Sequence, residues 1–553
     1  MPTSASGAVG PRDPYVGLRS FGPSESQLFC GRKQPNNQVL RLLGKHRFVG
    51  VIGASGSGKS SLVKAALMPA LTRGYLRASS RWKFAIMRPG DSPLSRLAEA
   101  LCSEEGLNLA MSPQEVMHRL DKNSTALIRL IGEALNRSLD CDNVLLVIDQ
   151  FEEIFRIRHD AKQESLRQTA HFVSLLLRAR EAIDVPIFIA MTMCSEYLGD
   201  CAQYPGLTDV LNEAQYHIPR LTREQREQAI REPLVMVGTD VGIDIDDELV
   251  QRLLNDAGDG PDQLPALQHA LMRLYEETPR GVRLCLDRYS ENMRAGRSLN
   301  FQAQNIYESL SAPLQKLAER VFRCLTTTDK GREVRRPTTV AAICKIAGAA
   351  PEEVHAVMSA FAKKKPPLLF FSTGNDLTDD TMVDITSESL IRQWKLLKEW
   401  VHREAESADR FARLVQAAEL HSDDQSNSSL WGNPEVEYVF RRSLEECWTS
   451  HWGDQYHQGF AEAMAFLKRR RDSIAAAEQE KRQRAEELEQ ARQRELERTH
   501  KLLMAEQEKR QRAEELEQAR QRELERTQKL LIIALIGLAS TIIGLLYFIW
   551  FRR

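Results

Sequence analysis

A glycine-rich loop near the N-terminus carries the residue types that bind phosphate. An apolar run over residues 48–52 precedes it, and Gly53, Gly58, Lys59 and Ser60 fit the pattern G-x-x-x-x-G-K-[ST]. Glycines let backbone N–H groups curl around an anion, the lysine reaches the β- and γ-phosphates, and the hydroxyl binds Mg²⁺. A glycine turn that binds nothing is disfavoured, because a buried-type strand precedes the loop and a helical pattern follows it. The predicted phosphate-binding residues are Gly53, Ala54, Ser55, Gly56, Ser57, Gly58, Lys59, Ser60 and Ser61.

A second apolar run ends in acids where a phosphate site needs a metal ligand. Residues 143–148 are typical of a buried strand, and Asp149, Glu152 and Glu153 follow it. We expect this strand to lie beside the strand of the glycine-rich loop, so that Asp149 and Ser60 serve the same Mg²⁺. Glu152 or Glu153 would then polarise an attacking water. Each acid alone also suits a solvated helix start, but the pairing with the upstream loop favours the nucleotide interpretation.

A third buried-type strand, over residues 185–194, runs into a polar end. In many P-loop ATPases this end carries a polar or basic residue that senses the terminal phosphate. Here it offers Thr192, Cys194 and Ser195 and no positive charge. The sequence therefore predicts that this strand supplies no cation to the site.

The elements around these residues indicate an α/β P-loop NTPase with a parallel sheet, followed by further domains. Strand and helix patterns alternate at first, and residues 337–363 with the two strands after them are typical of a winged helix. This segment lacks a dense basic face, so a structural lid is favoured over contact with nucleic acid. The predicted organisation is a flexible tail at 1–13, a P-loop NTPase domain at 14–220, a helical domain at 221–300, a winged-helix domain at 301–400, a helical region at 401–476, a charged helix or coiled coil at 477–529 and a transmembrane helix at 530–551.

Composition sets broad limits on the function. The 553 residues are enough for about three folded units. Lys and Arg number 75 against 76 Asp and Glu, so the balance indicates neither a nucleic-acid nor an acidic partner. The 9 cysteines include no C-x-x-C pair, which argues against a disulfide framework or a zinc site and favours a reducing compartment. Residues 1–13 have no apolar stretch of the kind found in a signal peptide.

A 28-residue unit is repeated almost identically near the C-terminus. Residues 477–504 and 505–532 differ only at positions 500/528 and 504/532. Because the unit is four heptads long, a supercoiled helix keeps its phase between copies, whereas a straight helix would rotate the second copy by about 80°. The apolar stripe is thin and rich in alanine. A solvated single helix that serves as a spacer and a self-associating coiled coil therefore both remain open.

The repeat leads directly into an apolar run without charge, residues 530–551. As a helix this run would extend about 33 Å, enough to cross a bilayer core. Tyr547 and Trp550 lie near one end, as interfacial aromatic residues do. The basic residues are concentrated before the run: Arg510, Arg512, Arg520, Arg522, Arg526 and Lys529 precede it, and Arg552 and Arg553 follow. The sequence thus predicts a single-pass C-terminal membrane anchor with the N-terminal domains in the cytoplasm.

Several separated motifs resemble the novel STAND NTPase family, signal-transducing P-loop ATPases related to NACHT and NB-ARC switches. The resemblance covers about residues 14–470. In chain order, the motifs are P-Y-x-G-L-x-x-F from Pro14, F-x-G-R ending at Arg32, the glycine-rich loop, D-Q-F-E-E from Asp149, residues 263–271 and residues 384–394.

The resemblance implies a nucleotide-gated switch. In such proteins an ADP-bound closed monomer exchanges ADP for ATP on a stimulus, a winged-helix lid opens, and a homo-oligomer gathers the effector segments. The activating ligand or protein is not indicated. Carried over to matching positions, residues 53–61 cradle the phosphates, Asp149 serves Mg²⁺, Glu152 and Glu153 resemble the extended acidic Walker B motif, Pro265 resembles the proline near adenine, and Arg32 resembles the arginine upstream of the loop.

Two positions depart from the family pattern. Relatives commonly have Arg where this chain has Cys194, and His in the lid motif where this chain has Ser387. The first change would remove a cation from the terminal phosphate, and the second would remove a contact between lid and phosphate. Each lost contact would cost a factor of about 10 to 1,000 in rate. We therefore expect nucleotide binding with slow or absent hydrolysis and a weakly held lid.

Three functions are consistent with these features. The first is a membrane-anchored, ATP-gated switch whose gathered membrane helices are themselves the output, for example in a defence or cell-death response. The second is a non-hydrolysing membrane scaffold stabilised by nucleotide, which the two departures would suit. The third and least favoured is a membrane-tethered regulator that binds DNA through the winged helix.

Overall fold

The phosphate loop (residues 53–61) follows the first strand of a five-stranded parallel sheet. The computed structural model places the strands in the order β2-β3-β4-β1-β5. The neighbouring strands run parallel, so all carboxyl ends lie on one edge of the sheet. The strands are β1 (Phe48–Gly53), β2 (Trp82–Met87), β3 (Asn143–Ile148), β4 (Ile187–Cys194) and β5 (Gln215–His217).

The structure describes residues 13–76, 80–137, 141–156, 163–238, 244–258, 260, 262–279, 281–294, 297–329, 331–372, 377–423 and 433–552. Two compact units divide the chain. The first consists of residues up to 426 together with 441–463, and the second consists of 427–440 together with the chain from 464 onward.

The sheet order corrects one expectation. The strand that carries Asp149 was predicted to lie beside the strand of the phosphate loop, but β4 lies between them. The register pairs Ile52 of β1 with Met193 of β4, and Ile148 of β3 with Met191. Apolar runs identify buried strands, but their order depends on how the helices cross over the sheet. The end of β4 consequently lies between the phosphate loop, which follows β1, and Asp149, which follows β3.

Helices cover both faces of the sheet, because its strands are apolar on both sides. On β3, Val144, Leu146 and Ile148 belong to one core, and Leu145 and Val147 belong to the other. The helices of this domain are α1 (Lys33–His46), α2 (Lys59–Ser61), which continues as a π-helical turn (Leu62–Leu67) into α3 (Met68–Thr72), α4 (Pro93–Cys102), α5 (Pro113–Lys122), α6 (Ala126–Arg137), α7 (Gln163–Glu181) and α8 (Leu207–Ala214).

The next segment packs its helices on the residues before the phosphate loop. Tyr15 is buried in the core of this helical segment and donates from its hydroxyl to Ile230 O at 2.6 Å. The upstream motif is thereby fixed to a segment more than two hundred residues away. The helices are α9 (Arg223–Gly238), α10 (Asp247–Asp256), α11 (Gln263–Glu277) and α12 (Ser298–Glu308).

Residues 301–400, which we call the lid, consist of helices and two small antiparallel sheets. An aromatic cluster that includes Phe322, Phe361 and Trp394 forms the centre of its core. Strands β8, β10 and β9 form an antiparallel sheet in that order, and β6 and β7 form a hairpin. The elements are α13 (Ala312–Cys324), β6 (Thr326–Asp329), β7 (Arg332–Arg335), β8 (Thr338–Thr339), α14 (Val340–Ala347), α15 (Pro351–Lys363), β9 (Leu369–Phe371), β10 (Met382–Ile385) and α16 (Glu388–Gln393).

A buried charge cluster joins α13 to the helices after the lid. Arg323 is paired with Glu404 and, at 3.0 Å, with Glu446. Burial opposes the charge of Arg323, but the two carboxylates raise its pKa above the usual arginine value. The helices that follow the lid are α17 (Lys395–Asp423), α18 (Asn433–Glu445) and α19 (Ser450–Gly453).

The repeat and the apolar run belong to one helix, α20 (Phe460–Trp550), of 91 residues. It has no break at residue 477 or at residue 530, where the domain boundaries were predicted. Within the second unit, the Arg471 guanidinium lies 3.9 Å from the ring centroid of Phe440 and 3.2 Å from Glu437. The apolar end of α20 reaches a mean hydropathy of 2.5 over an 18-residue window, and none of that window is buried.

Candidate functional site

The phosphate loop has the backbone shape that its glycines predict. β1 ends at Gly53 and α2 begins at Lys59. In between, Gly56 has a φ of 73° and Gly58 a φ of 91°. Both values lie in the left-handed region, which side chains with a Cβ rarely adopt. The loop therefore curls so that backbone amides and the N-terminus of α2 face the same space.

Lys59 lies folded across this loop. Its side chain is buried, and its ammonium donates to the carbonyls of Gly53 and Ala54, both at 2.9 Å. The same nitrogen lies 3.6 Å from Cys194 Sγ at the end of β4. A phosphate oxygen is a stronger acceptor than either carbonyl, because it carries charge. Lys59 is thus held at the loop by contacts that a phosphate can replace.

Asp149 is the centre of a hydrogen-bond network at the carboxyl edge of the sheet. Its Oδ1 accepts from Ser60 Oγ at 2.6 Å and from Thr192 Oγ1 at 2.7 Å, and its Oδ2 pairs with Lys64 Nζ at 2.7 Å. Burial by itself would raise the pKa of Asp149. The charges of Lys64 and Arg88 outweigh burial and hold this pKa well below its usual range. Asp149 is therefore ionised at neutral pH.

Ser60 and Asp149 fit the Mg²⁺ expected at this site. A serine hydroxyl and an ionised carboxylate are hard oxygen donors of the kind Mg²⁺ prefers, and the two lie within hydrogen-bond distance of each other. The described residues contain no cluster of three or more His, Cys, Asp or Glu that would hold a metal without a substrate.

The two acids proposed to act on water have different positions. Glu152 is buried, lines the cavity at the phosphate loop, and accepts from the backbone N–H of Cys194 at 3.2 Å. Glu153 accepts from the backbone N–H of Gly90 at 3.0 Å and is outside the cavity lining. Only Glu152 therefore faces the space where a water and a phosphate would meet.

Cys194 brings a neutral group to the end of β4. Burial raises the pKa of its thiol, and the charge of Glu152 raises it further, to well above the usual value. It consequently supplies neither a cation nor a thiolate. Cations come from other elements instead: Arg88, directly after β2, and Arg335, at the end of β7, both line the cavity.

Arg32 and Pro265 lie on the same cavity as the phosphate loop. Arg32 is buried and donates to Ser57 O at 2.9 Å and to Pro219 O at 3.0 Å. Burial lowers the pKa of Arg32 to about 10, so it still carries its charge at neutral pH. Arg32 thus fixes the loop, and Pro265 also lines the cavity.

The cavity has a volume of about 190 Å³. Gln268 lines it, and its Oε1 is buried without a hydrogen-bond partner in the described part of the chain. A base with an exocyclic amine would satisfy that acceptor. Besides the phosphate loop and several charged residues, the lining includes the apolar residues Val16, Leu18, Phe21, Leu28, Phe29, Leu221, Ala229, Leu264 and Pro265.

The lid contacts the phosphate loop directly through α16. Ser55 Oγ donates to Glu388 Oε2 at 2.6 Å, and Arg392 Nη2 lies 3.3 Å from the same hydroxyl. Arg392 Nε also donates to Asp262 Oδ2 at 2.8 Å, which connects α16 to the start of α11. Ser387 lines the cavity, but its hydroxyl accepts from the N–H of Ser389 and so caps α16.

Sequence reasoning missed several of these residues. Lys64, Arg88, Arg335 and Arg392 are ordinary basic residues in the sequence, and their roles depend on which strand ends meet. One local signal was present for Arg88, since it directly follows a strand of the sheet. The expected weakness of the lid at Ser387 also did not take account of Glu388 beside it.

The sheet order, the glycine loop at the end of β1 and the acid at the end of β3 define a P-loop NTPase. The chain belongs to the family described as Novel STAND NTPase 1, whose family model matches residues 14–429. This confirms the resemblance drawn from the motifs. No match was found among curated proteins.

Several solved structures match this chain at low identity. Cdc6p from Pyrobaculum aerophilum is 12% identical, with 68% of this chain and 94% of that chain covered and a TM-score of 0.29. The Aeropyrum pernix ORC2 protein, solved as ADPNP–ADP complexes, is 11% identical, with 67% and 92% covered and a TM-score of 0.36. Drosophila ORC bound to DNA is 13% identical, with 73% and 93% covered and a TM-score of 0.33.

Proposed function

We propose that the chain is a membrane-anchored switch in which ATP or ADP lies between the sheet and the lid. The hydrogen bond from Ser55 to Glu388, at 2.6 Å, is the observation that supports this most directly. It joins the loop that would bind phosphates to the first residue of α16 in the lid. Any ligand that occupies the loop therefore acts directly on the contact that holds the lid.

The residues of the phosphate site have separable roles in this proposal. Lys59 exchanges its two carbonyl acceptors for phosphate oxygens, and the loop amides donate to the same phosphates. Ser60 and Asp149 would hold the metal, and Thr192 and Lys64 orient the carboxylate of Asp149. Bound Mg²⁺ would neutralise charge on the phosphates.

We propose that hydrolysis at this site is slow. Glu152 already accepts the N–H of Cys194 at 3.2 Å, so one of its oxygens is engaged before any water is bound. An attacking water must therefore share this carboxylate with the backbone N–H of Cys194. The neutral thiol of Cys194 adds no positive charge at the end of β4. Slow turnover would let the bound nucleotide act as a signal for longer.

The apolar end of α20 supports the membrane part of the proposal. Its exposed side chains and mean hydropathy of 2.5 suit a lipid environment, and residues 530–551 would be the span. The concentration of Arg and Lys before that segment favours a cytoplasmic location for the nucleotide domain. We propose that nucleotide exchange opens the lid, that open chains form homo-oligomers, and that the gathered spans perturb the membrane in a defence or cell-death response.

The proposal is tested with the full chain in detergent. The nucleotide that copurifies is identified, and particle size is measured with ADP and with a non-hydrolysable ATP analogue. We expect a small particle with ADP and a larger one with the analogue. The Lys59→Ala variant should bind neither nucleotide and stay small, because it lacks the ammonium at the loop. Equal sizes for the wild-type chain in both nucleotides would refute the switch.

A second measurement tests the membrane output. Membrane potential is followed in cells that express either the full chain or the Lys59→Ala variant. We expect depolarisation only with the intact phosphate loop. Equal depolarisation by both chains would show that the span acts without nucleotide control.

A non-hydrolysing scaffold remains the second candidate function. Lys59 satisfied by loop carbonyls and Glu152 satisfied by a backbone N–H are the observations that favour it. The scaffold binds nucleotide tightly but keeps one particle size in all nucleotides and shows no turnover. The size measurement therefore separates it from the switch.

A further inference from the structure

A line of alternating charges crosses from the sheet into the lid. Asp149 Oδ2 lies 4.0 Å from Arg88 Nε, and Arg88 Nη1 lies 3.1 Å from Asp384 Oδ2 in β10. Asp384 Oδ2 also accepts from Arg335 Nη1 at 2.7 Å. Asp149 and Arg88 follow strands of the sheet, whereas Asp384 and Arg335 belong to the lid. Within this line of charges, the bond between Arg88 and Asp384 joins the two parts.

Both arginines face the cavity, but the lid carboxylate between them does not. Arg88 and Arg335 line the cavity together with Lys59 and Glu152, and Asp384 is outside the lining. Asp384 and Arg335 are buried, while the Arg88 side chain is 41% exposed. The two guanidiniums therefore present positive charge to the cavity. Asp384, which lies outside the lining, balances part of that charge.

The contact between Arg335 and Asp384 leaves hydrogen-bonding capacity unused. Arg335 Nε and Asp384 Oδ1 are both buried without a hydrogen-bond partner among the described residues. Buried polar groups in this condition are costly, and a structure relaxes toward any arrangement that satisfies them. A charged oxygen placed in the cavity would compete with Asp384 for either arginine.

We propose that Arg88 and Arg335 distinguish a nucleoside triphosphate from a diphosphate, with Asp384 taking the place of the third phosphate when it is absent. This inference rests on the proposed nucleotide switch and assigns the part of it that reads the nucleotide. The added negative charge of a triphosphate draws Arg88 away from Asp384, and β10 loses its bond to the sheet. By linkage, loosening that bond must favour the triphosphate by the same factor.

This arrangement accounts for the absence of a cation at the end of β4. A cation at position 194 would contact the phosphate from the sheet alone. Arg88, from the sheet, and Arg335, from the lid, would instead contact it together. The same two side chains would then both bind the ligand and hold the lid. The contacts of α16 with Ser55 and Asp262 involve neither arginine.

The test measures dissociation constants of the full chain in detergent for ADP and for a non-hydrolysable ATP analogue. The Asp384→Asn variant should raise preference for the analogue over ADP by about 10- to 100-fold, because the arginines lose their competing charge. The Arg88→Gln and Arg335→Gln variants should lower that preference by a similar factor. Arg332→Gln is the matched control, since Arg332 is on the same strand as Arg335 but pairs with Glu196 outside the cavity.

A second control separates this reading of phosphate from general loosening of the lid. Asp262→Asn weakens the contact with Arg392 but leaves both cavity arginines unchanged, so its shift of preference measures the effect of lid loosening alone, and Asp384→Asn should exceed that shift. Thermal unfolding of each variant with ADP identifies any that is misfolded, and Arg88→Lys, which keeps the charge, replaces Arg88→Gln if that variant is unstable.

The outcomes distinguish this inference from the proposed function. An unchanged preference in Asp384→Asn, or a change equal to that of Asp262→Asn, would overturn the role of the arginines while nucleotide binding itself stands. A wild-type chain that binds neither nucleotide would refute the proposed switch, and the inference with it.

Discussion

Replacing Arg392 with Gln should open the lid about thirtyfold more often. Arg392 Nε donates to Asp262 Oδ2 at 2.8 Å, and the Arg392 and Asp262 side chains are 27% and 14% exposed. Removing one partner of a buried hydrogen-bonded charge pair costs about 2–5 kcal/mol. Partial exposure places this pair at the lower end of that range. A loss of about 2 kcal/mol shifts the closing equilibrium about thirtyfold.

Hydrogen exchange of the full chain in detergent measures this shift. Backbone amides of the loop beside Ser55 should exchange faster in the variant, by up to about thirtyfold, since the bond from Ser55 to Glu388 holds the closed lid on this loop. Amides of β3 should keep their wild-type rates, because the sheet does not depend on Arg392. Both sets are read in the same sample, so global destabilisation would be seen as faster exchange in both.

Arg403→Gln is the matched control for this experiment. Arg403 donates to Glu319 Oε1 at 2.9 Å, on helices away from the cavity. Its loss should leave exchange at residues 53–61 unchanged. If Arg392→Gln exchanged there no faster than Arg403→Gln, α16 would not be what holds the lid on the loop.

Three further predictions concern Cys194 and His269. Cys194→Arg should hydrolyse ATP at least about tenfold faster than the parent, as the family pattern implies, and an unchanged turnover rate would show that this position does not limit hydrolysis. At pH 8 a thiol reagent should label the exposed Cys447 well before Cys194, because burial raises the pKa of Cys194, and mass spectrometry reports the order. Burial lowers the pKa of His269 to about 3, so the folded chain keeps this ring neutral while the unfolded chain protonates it below about pH 6.5. The contribution of neutral His269 to the free energy of unfolding is complete above pH 6.5 and is lost as pH falls toward 3, by about 2 kcal/mol between pH 7 and 5. The His269→Gln variant should therefore show a smaller fall of the melting temperature over that interval. Identical pH profiles for the two chains would contradict the lowered pKa of His269.

The phosphate loop and Asp149 could be predicted because a short stretch of sequence contains each pattern in full. Glycine, lysine and serine at fixed spacing describe one turn of backbone, and the apolar run before Asp149 describes one buried strand. Both patterns are complete within a few residues. The family resemblance then supplied the expected order of the larger elements, and the family match over residues 14–429 confirms the family itself.

The charges around the site could not be predicted in the same way. Arg88 and Asp384 are separated by 296 positions, and nothing local in either segment indicates the pairing. The position of β4 between β1 and β3 likewise depends on crossover connections rather than on the strands themselves. The sequence showed correctly that β4 ends without a cation. It could not show that two other strands would supply the missing charge.

Because α20 has no break, the number of repeat copies sets the length of this helix. Each 28-residue copy adds about 42 Å of helix, so a duplication lengthens the helix by one fixed step. Because a copy equals four heptads, adding or deleting one copy in a supercoil changes the length of the helix, while every side chain keeps its orientation around the helix axis. Evolution could therefore adjust the distance along this helix in whole steps without redesigning any surface.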